Sequence, residues 1–346
     1  MRFGTRSLEE QECAAAAHWY GENACKMQGI PCRETARAHV RALCSEDGAL
    51  CGVFCWGPAA RAQEAWDAWE EEPETLDISA CLRPDLTGHG WGYRAMRTAM
   101  RWLQGKTGAR VFRVAVPASD ARAQQVWRRL DFEPAAAHGS WLLMRLDATP
   151  WKDATRPLQE GMAVYPGDPP FSRRLFQRQA EDGWNASAIA LSCHTGTHID
   201  APAHVGLAGT VEDIAPERLN GMVQLLDWDG QRWNDICAGR LLLRLHEKSL
   251  TPADARRLLA LGVEWLGVDA LTLDRGETSW ETHRILLRAG VVVLENAAIE
   301  KGFEEGWYHM RCLPLLLPGS DGAPVRLLLR RETKRGKRVP RACWPR

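Results

Sequence analysis

The eleven residues from His194 to His204 constrain this chain more than any other segment, because they hold three histidines and an aspartate in the order His-Thr-Gly-Thr-His-Ile-Asp-Ala-Pro-Ala-His. Ten histidines spread over 346 residues would place fewer than one in such a window. Gly196 permits unusual backbone angles and Pro202 ends any helix, so we expect a strand end or a tight loop. Imidazole and carboxylate groups that converge there would suit Zn²⁺ or a similar divalent ion. A cluster of surface or core-bonded histidines is the alternative.

The pattern of apolar residues divides the chain near residue 150. Residues 1–147 predict a hairpin within 34–66, strands at 76–82, 111–116 and 141–146, and helices after Gly92 and at 122–130. The stretch 147–150 has no periodicity and is the candidate linker. A second α/β alternation over 151–330 ends in two predicted strands, LPLLLPG and VRLLLR, and the basic residues 331–346 predict a solvated tail. The fold class is therefore α/β with two domains, as the length also favours.

Composition excludes several classes of protein. The 44 Lys and Arg residues balance the 44 Asp and Glu residues, whereas nucleic-acid-binding proteins usually carry a basic excess. No apolar run approaches the ~20 residues that span a bilayer, and the opening residues, MRFGTRSLEEQE, lack the apolar stretch of a secretory signal. Eleven cysteines without a C-x-x-C pair predict reduced and mostly buried thiols. We expect a cytoplasmic protein with neither a nucleic-acid nor a membrane partner.

Three glycines alternate at Gly88, Gly90 and Gly92, between a predicted strand and a predicted helix. Such a loop lets backbone amides approach an anion, which the start of a helix also favours. An ordinary glycine-rich turn is the alternative, but a second motif, DARAQQVWRRLDF at 120–132, follows the next strand. Together the two motifs resemble the GNAT family of acetyl-CoA-dependent N-acetyltransferases over residues 1–147. The resemblance implies a mixed sheet with helices, in which the three glycine amides hold the pyrophosphate of acetyl-CoA.

Three positions depart from the GNAT pattern. Thr87 replaces the usual Arg or Gln, Asp120 replaces Asn, and Trp127 replaces the Tyr that often protonates the departing thiolate. An indole cannot supply that proton at neutral pH. We therefore expect acyl-CoA binding with weak or no acetyl transfer. Asp77, on the preceding strand, is the candidate general base, and a solvent-facing role is its alternative.

The motif at 194–204 also matches the H-x-G-T-H-x-D-x-P-x-H pattern of the cyclase family of metal-dependent hydrolases, which includes kynurenine formamidases and isatin hydrolases. The likeness covers most of residues 151–330. Further counterparts follow in order at 153–162, 165–169, 267–269, 283–295 and 321–326. The resemblance implies a swivelling β/α/β domain, a divalent metal cofactor (zinc or manganese, as one or two ions) and a homo-oligomer.

The same resemblance assigns roles position by position. It implies that His194, His198 and Asp200 bind the first metal ion. It implies that Asp200 bridges to a second ion, whose ligands His283 and Glu295 would be brought together by a helix that turns directly into a strand. The alternative for the last two is that His283 lies on a solvated helix and Glu295 caps a strand.

The resemblance makes His204 the catalytic histidine. A divalent ion lowers the pKa of bound water to about 7, and His204 would carry the proton to the departing amine; the alternative is a purely orienting role. The predicted activity is metal-dependent hydrolysis of a small amide, such as the aryl formamide N-formylkynurenine, to formate and an amine. Three alternatives remain. The substrate is a cyclic amide such as isatin, acetyl transfer is the main activity beside a scaffold, or the GNAT-like half is a non-catalytic acyl-CoA-binding module.

Overall fold

The computed structural model describes residues 1–22, 38–61, 75–246, 248–274 and 280–332. The chain divides into two compact units, Met1–Thr149 and Pro150–Arg346. Most of the predicted basic tail lies outside the described residues, although Arg331 itself ends a strand. None of the described helices combines the length and apolar composition that crossing a bilayer requires.

The N-terminal unit is a mixed sheet with helices. Its strands are β1 (Gly4–Arg6), β2 (Val40–Cys44), β3 (Leu50–Trp56), β4 (Thr75–Leu82), β5 (Val111–Pro117), β6 (Glu133–His138) and β7 (Trp141–Asp147), and its helices are α1 (Cys13–Glu22), α2 (Gly92–Thr107) and α3 (Ala121–Arg128). The sheet order is β1-β2-β3-β4-β5-β7-β6, and β4 with β5 is its parallel pair. The predicted hairpin is β2 and β3; its outer parts, 34–37 and 62–66, lie outside the described residues.

Helix α2 follows the glycine loop as predicted. Its buried residues recur with helical spacing, including Met96, Met100 and Leu103. The helix ends where Gly108 adopts a left-handed conformation and donates its amide to the carbonyl of Gln104. Its apolar face covers the sheet in a core with Phe112 of β5. The packing of α2 on the sheet therefore fixes the position of the glycine loop.

The C-terminal unit is built on a closed ring of strands. Its strands are β8 (Lys152–Asp153), β9 (Ser172–Gln177), β10 (Ala186–Ala190), β11 (His198–Asp200), β12 (Asn220–Asp227), β13 (Arg240–Arg244), β14 (Trp265–Val268), β15 (Val292–Glu295), β16 (Gly306–Pro314) and β17 (Gly322–Arg331), and its helices are α4 (Gln179–Asp182), α5 (Pro252–Ala260) and α6 (Glu281–Arg288). The sheet order is β11-β15-β14-β13-β12-β16-β17-β8, and β11 also pairs with β17, which closes the ring. Strands β12 to β15 are parallel, and β9 and β10 form a separate hairpin.

The two faces of the ring pack into different cores. Leu242 of β13 lies in the core shared with Ile199 of β11 and Leu327 of β17. Its neighbours on β13 face the other way and pack with Leu258 of α5 and Leu286 of α6. Successive residues of a strand point to opposite faces, so one run of leucines can serve both cores.

One predicted strand is wrong. Residues LPLLLPG (313–319) were expected to form a strand, but β16 ends at Pro314, and residues 315–321 connect it to β17. The pairing still holds at Pro314, opposite Val325, and the amide of Leu315 donates to the carbonyl of Pro324. Pro318, which has no amide hydrogen to donate, lies in the turn that follows. Leu316 is 74% exposed there. Apolar composition alone therefore mispredicts this segment.

Candidate metal centre

Strand β11 presents two of the predicted ligands on one face. Its middle residue, Ile199, is fully buried in the core of the ring. The flanking side chains of His198 and Asp200 must therefore point to the opposite face, because side chains alternate along a strand. Both are almost fully buried, at 2% and 1% exposure. The Nε2 atom of His198 lies 3.4 Å from Oδ1 of Asp200.

Two further predicted ligands reach this face from α6 and β15. Glu295 is the register partner of His198, and its Oε2 lies 3.6 Å from the Nε2 of that histidine. His283 is completely buried, with its Nε2 2.9 Å from Oε1 of Glu295 and 3.6 Å from Oδ2 of Asp200. Helix α6 ends at Arg288 and β15 starts at Val292, so the predicted direct return of the chain is observed.

His194 precedes β11 in a turn and lies against the first residue of β17. Its Nδ1 is 2.9 Å from Oδ1 of Asp200. A Cβ atom placed on Gly322 would lie only 2.6 Å from Cε1 of His194 and 2.9 Å from the carbonyl oxygen of Ile199. Only glycine at position 322 therefore lets the His194 ring approach the strand this closely.

Two carboxylates to which the sequence analysis assigned no role lie within hydrogen-bond distance of ring nitrogens of His283 and His194. Oδ2 of Asp274 lies 2.6 Å from Nδ1 of His283, and Oδ2 of Asp321 lies 3.0 Å from Nε2 of His194. The carboxylate of Asp274 also accepts hydrogen bonds from the amides of Thr282 and His283, so it is fixed in place. Such carboxylates orient metal-binding histidines in many proteins. Asp321 lay within a recognised segment, whereas no sequence signal singled out Asp274.

His204 lies in a short 3-10 turn that Pro202 begins. Its ring centroid is 4.2 Å from that of His194 and 5.8 Å from that of His283. Its Nδ1 lies 3.6 Å from Oδ2 of Asp321. All six residues predicted for this site, His194, His198, Asp200, His204, His283 and Glu295, are thus close neighbours.

The donor set fits a divalent cation. His198 donates from Nδ1 to the carbonyl of Gly196, which leaves Nε2 free to act as a ligand beside Asp200 and Glu295. Oδ2 of Asp200 is buried and has no hydrogen-bond partner among the described residues. A buried carboxylate oxygen without a hydrogen bond is costly, and a bound cation would compensate for it.

The ligand atoms converge in two overlapping groups that share Asp200. One comprises His194, Asp200 and His204, and the other comprises His198, Asp200 and Glu295; within each, the ligand atoms lie within 4.8 Å of one another. The resemblance had grouped His194 with His198 instead. Asp200 belongs to both groups and therefore lies at the centre of the cluster.

The carboxylates and imidazoles of this site stabilise one another's charged forms. Burial alone would raise the pKa of Asp200, but the surrounding imidazoles hold it well below its usual range. Burial would lower the pKa of His194, yet Asp200 and Asp321 raise it to about 9. Burial likewise opposes the shift of His283, whose pKa is raised well above its usual value by its carboxylate neighbours, Glu295 first among them. In the metal-free protein, protons on these histidines therefore balance the carboxylates.

His204 behaves differently from the other histidines of the site. Burial is the main cause that lowers its pKa, and the positive charges of His194 and His283 add to this effect. The nearby carboxylates oppose the shift but do not reverse it. The lowered pKa favours the neutral form of His204, in which one ring nitrogen can accept a proton.

The N-terminal unit contains a separate cavity of about 400 Å³ beside the glycine loop. Strands β4 and β5 pair in parallel only over Thr75–Asp77 and Val111–Arg113, and their later residues line opposite sides of the cavity. Gly88, Gly90 and Gly92 all border it. A Cβ on Gly88 would lie 3.6 Å from a guanidinium nitrogen of Arg122, so a positive charge faces the loop where an anion would bind.

The two departures in α3 have visible consequences. Asp120 caps the helix by accepting a hydrogen bond from the amide of Ala123, as an Asn could also do. Trp127 borders the cavity but is only 6% exposed and packs edge-on against Phe132. The indole therefore acts as part of the core as well as the cavity wall.

The solvent-facing alternative for Asp77 is wrong. Its side chain is 2% exposed and lies between two guanidinium groups, with Oδ2 2.7 Å from Nε of Arg61 and Oδ1 2.8 Å from Nε of Arg113. A buried carboxylate is stable only when it is paired in this way.

Comparison with known proteins identifies both halves. Residues 152–249 match the family model described as "Putative cyclase", and residues 11–132 match the "Acetyltransferase (GNAT) family" model. A kynurenine formamidase of Paracidovorax citrulli is 31% identical over 206 residues, which cover 51% of this chain and 95% of that protein. One from Bacillus cereus is 33% identical over 203 residues, which cover 52% of this chain and 97% of that protein.

A solved structure described as a potential metal-dependent hydrolase with cyclase activity is 32% identical; the match covers 54% of this chain and all of that one, with a TM-score of 0.47. The curated relatives are thus matched along almost their whole length by about half of this chain. The chain belongs to the cyclase family of metal-dependent hydrolases through its C-terminal half, which is fused to an N-terminal domain of the GNAT acetyltransferase family.

Proposed function

We propose that the C-terminal unit hydrolyses the amide bond of an aryl formamide such as N-formylkynurenine, releasing formate and the free amine. The observation that carries this proposal is the convergence of four potential metal ligands and His204 on one buried carboxylate, Asp200. The curated relatives matched by this unit are kynurenine formamidases. Hydrolysis of a cyclic amide such as isatin uses the same residues and is the second candidate.

The side chains of this site suit amide hydrolysis. A bound divalent ion would polarise the amide carbonyl and lower the pKa of the attacking water. His204 takes a proton from that water as its oxygen bonds to the carbonyl carbon. His204 then gives the proton to the amide nitrogen as the carbon–nitrogen bond breaks. The lowered pKa of His204 favours the neutral form that the first transfer requires.

The proposed ligands are His194, His198, Asp200, His283 and Glu295. Nitrogen and oxygen donors of this kind suit zinc or manganese. Because Asp200 lies within 3.6 Å of His194, His198 and His283, we propose two ions that share its carboxylate. Asp274 and Asp321 would position His283 and His194 from behind.

For the N-terminal unit we propose acetyl-CoA binding, with its pyrophosphate at the amides of Gly88, Gly90 and Gly92. The cavity beside the loop and the facing guanidinium of Arg122 support this. Acetyl transfer should be weak or absent, because the indole of Trp127 cannot protonate a departing thiolate. An active transferase with a different proton donor is the alternative.

We also propose that the protein is a cytoplasmic homo-oligomer. The described cysteines are all free thiols, which suits a reducing compartment. The hairpin of β9 and β10 pairs with no other described strand, and Phe176, Trp184 and Ile189 are each more than half exposed on and beside it. A lone two-stranded hairpin is only marginally stable in water, so a second copy is the proposed cover.

A direct experiment tests the proposed hydrolase. The full-length chain, stripped with a chelator and reloaded separately with zinc or manganese, is incubated with N-formylkynurenine, formanilide and isatin, and released formate or opened ring is measured. We expect metal-dependent release of formate, and loss of at least about 100-fold in rate for His204→Ala. Fully metallated protein that cleaves none of these amides would refute the proposal.

A further inference from the structure

An aromatic side chain outside the predicted ligand set borders the site. The ring of Trp280 lies 5.7 Å from that of His204 at an interplanar angle of 85°, and 5.3 Å from that of His283 at 65°. These are edge-to-face arrangements, which aromatic rings favour. Trp280 therefore contacts both the proposed proton carrier and a proposed ligand.

The backbone of Trp280 adopts a conformation that a bulky residue rarely takes. Its φ of 52° and ψ of 30° are left-handed. Its carbonyl oxygen accepts a hydrogen bond from the amide of Arg284 in the first turn of α6. Strained conformations of this kind persist where the surrounding structure demands them, and they concentrate at functional sites. The residue with this backbone conformation places its indole beside the two histidines.

A second aromatic ring lies beside that of Trp280, and the two rings together form an aromatic wall of the site. The ring of Tyr165 lies 5.4 Å from that of Trp280, and both side chains are half-buried. A Cβ on Gly196 would lie 2.7 Å from Leu158 and 3.4 Å from Met162, so the segment that leads to Tyr165 passes over the turn between His194 and His198. The border of the site on this side is thus apolar and aromatic.

The proposed reaction determines which part of a substrate meets this wall. His204 delivers a proton to the amide nitrogen, so that nitrogen must lie beside the His204 ring. A formamide has only hydrogen on its carbonyl carbon, and its bulk is the substituent on nitrogen. The ring of Trp280 adjoins His204, so this substituent lies against Trp280.

We infer that Trp280, together with Tyr165, receives the ring on the amide nitrogen and makes the enzyme prefer N-aryl to N-alkyl formamides. This inference rests on the proposed amide hydrolysis and specifies its substrate class. A flat aromatic ring can stack on or pack edge-to-face against the indole, whereas a saturated ring of the same size gains only apolar contact. Trp280 is in this account a specificity-determining residue and not a proton carrier.

The kinetic test compares formanilide with N-cyclohexylformamide on the metal-loaded, full-length protein. The measured quantity is the ratio of the two kcat/KM values. We expect Trp280→Leu to reduce this ratio about tenfold, and Trp280→Phe to keep it within about threefold of wild type. Tyr165→Leu should reduce it by a smaller factor. Trp151→Leu is the matched control, because the Trp151 ring packs against the guanidinium groups of Arg311 and Arg330.

A binding measurement separates this inference from the proposed function. Calorimetry on the metal-free, full-length variants compares acetanilide with N-cyclohexylacetamide, neither of which needs to be hydrolysed. Trp280→Leu should lose about tenfold of the preference for acetanilide, while Trp280→Phe retains it. Unchanged preference in Trp280→Leu, in both assays, would overturn the inference while leaving amide hydrolysis intact. Aryl preference in binding without any hydrolysis would instead support the aromatic wall and contradict the proposed reaction.

Discussion

His198 and Glu295 lie directly opposite each other on neighbouring antiparallel strands, with 3.6 Å between Nε2 and Oε2. Side chains alternate along a strand, so the same register turns Ile199 and Leu294 into the core of the ring. A slip of one residue would exchange the two sets. The metal centre therefore depends on the register of the closed sheet as much as on the identity of its ligands.

Glu295→Gln should lower the number of bound metal ions and the rate of hydrolysis while the fold is retained. The amide is almost the same size as the carboxylate but is a weaker ligand and carries no charge. Metal analysis of the purified proteins and circular dichroism measure the two effects, with the exposed Glu304→Gln as control. One ion per chain in wild type, unchanged in Glu295→Gln, would contradict the proposed shared site.

Asp274→Asn should weaken metal binding about 10- to 100-fold, because Asp274 orients His283 without being a proposed ligand. The amide group also places a donor where the amides of Thr282 and His283 need an acceptor. Competition with a chromogenic chelator measures the affinity. Metal affinity equal to that of wild type would show that His283 needs no such partner.

Gly322→Ala should destabilise the protein and weaken metal binding together. The added methyl group would lie 2.6 Å from the ring of His194 and 2.9 Å from a backbone oxygen, and overpacking of this kind costs about 1–3 kcal/mol. Thermal unfolding and metal titration report the two effects. Gly239→Ala, whose methyl group would meet its nearest neighbour at 3.4 Å, should be tolerated.

Gly90→Leu should abolish binding of coenzyme A. The backbone at Gly90 has a φ of 77°, which strains any other residue, and a side chain there would project from the loop that the pyrophosphate approaches. Gly105→Leu makes the same chemical change on the exposed part of α2 and should bind normally. Calorimetry measures the affinity of both variants for coenzyme A. An affinity of Gly90→Leu equal to that of wild type would show that the coenzyme binds elsewhere.

The stability contributed by Asp227 should depend on pH. Burial tends to raise its pKa, but Arg244 and His246 hold it below the usual value. A carboxyl with a depressed folded-state pKa contributes stability above its unfolded pKa of about 3.9, and that contribution is lost as the pH falls through the folded value. The difference in Tm between wild type and Asp227→Asn should therefore shrink from pH 6 to pH 3. The free energy that Asp227 contributes to folding should be small at every pH, about 1 kcal/mol or less, because its side chain is partly exposed.

Local patterns predicted much of this structure. The spacing of Met96, Met100 and Leu103 predicted α2, and the apolar pattern within residues 34–66 predicted the hairpin of β2 and β3. The motif from His194 to His204 lies in one compact segment, so its residues had to be neighbours. These features depend on residues that are close in sequence.

Features that depend on distant pairing were not predicted. The closure of the ring through β11 and β17 joins segments more than 120 residues apart. Trp280 faces His204 only because α6 packs beside the 3-10 turn Pro202–Val205. The burial of Asp77 likewise depends on two arginines that lie 16 and 36 residues away in the sequence, Arg61 and Arg113. Single-sequence periodicity carries no information about such contacts.

The central claim is that the cluster around Asp200 is a metal centre that hydrolyses an aryl formamide. Its most direct test is release of formate from N-formylkynurenine by the full-length protein before and after removal of metal. The account predicts release that disappears with the chelator, returns with zinc or manganese, and is lost in His194→Ala even when metal is added. Hydrolysis that continues at the same rate in the metal-free protein would contradict it.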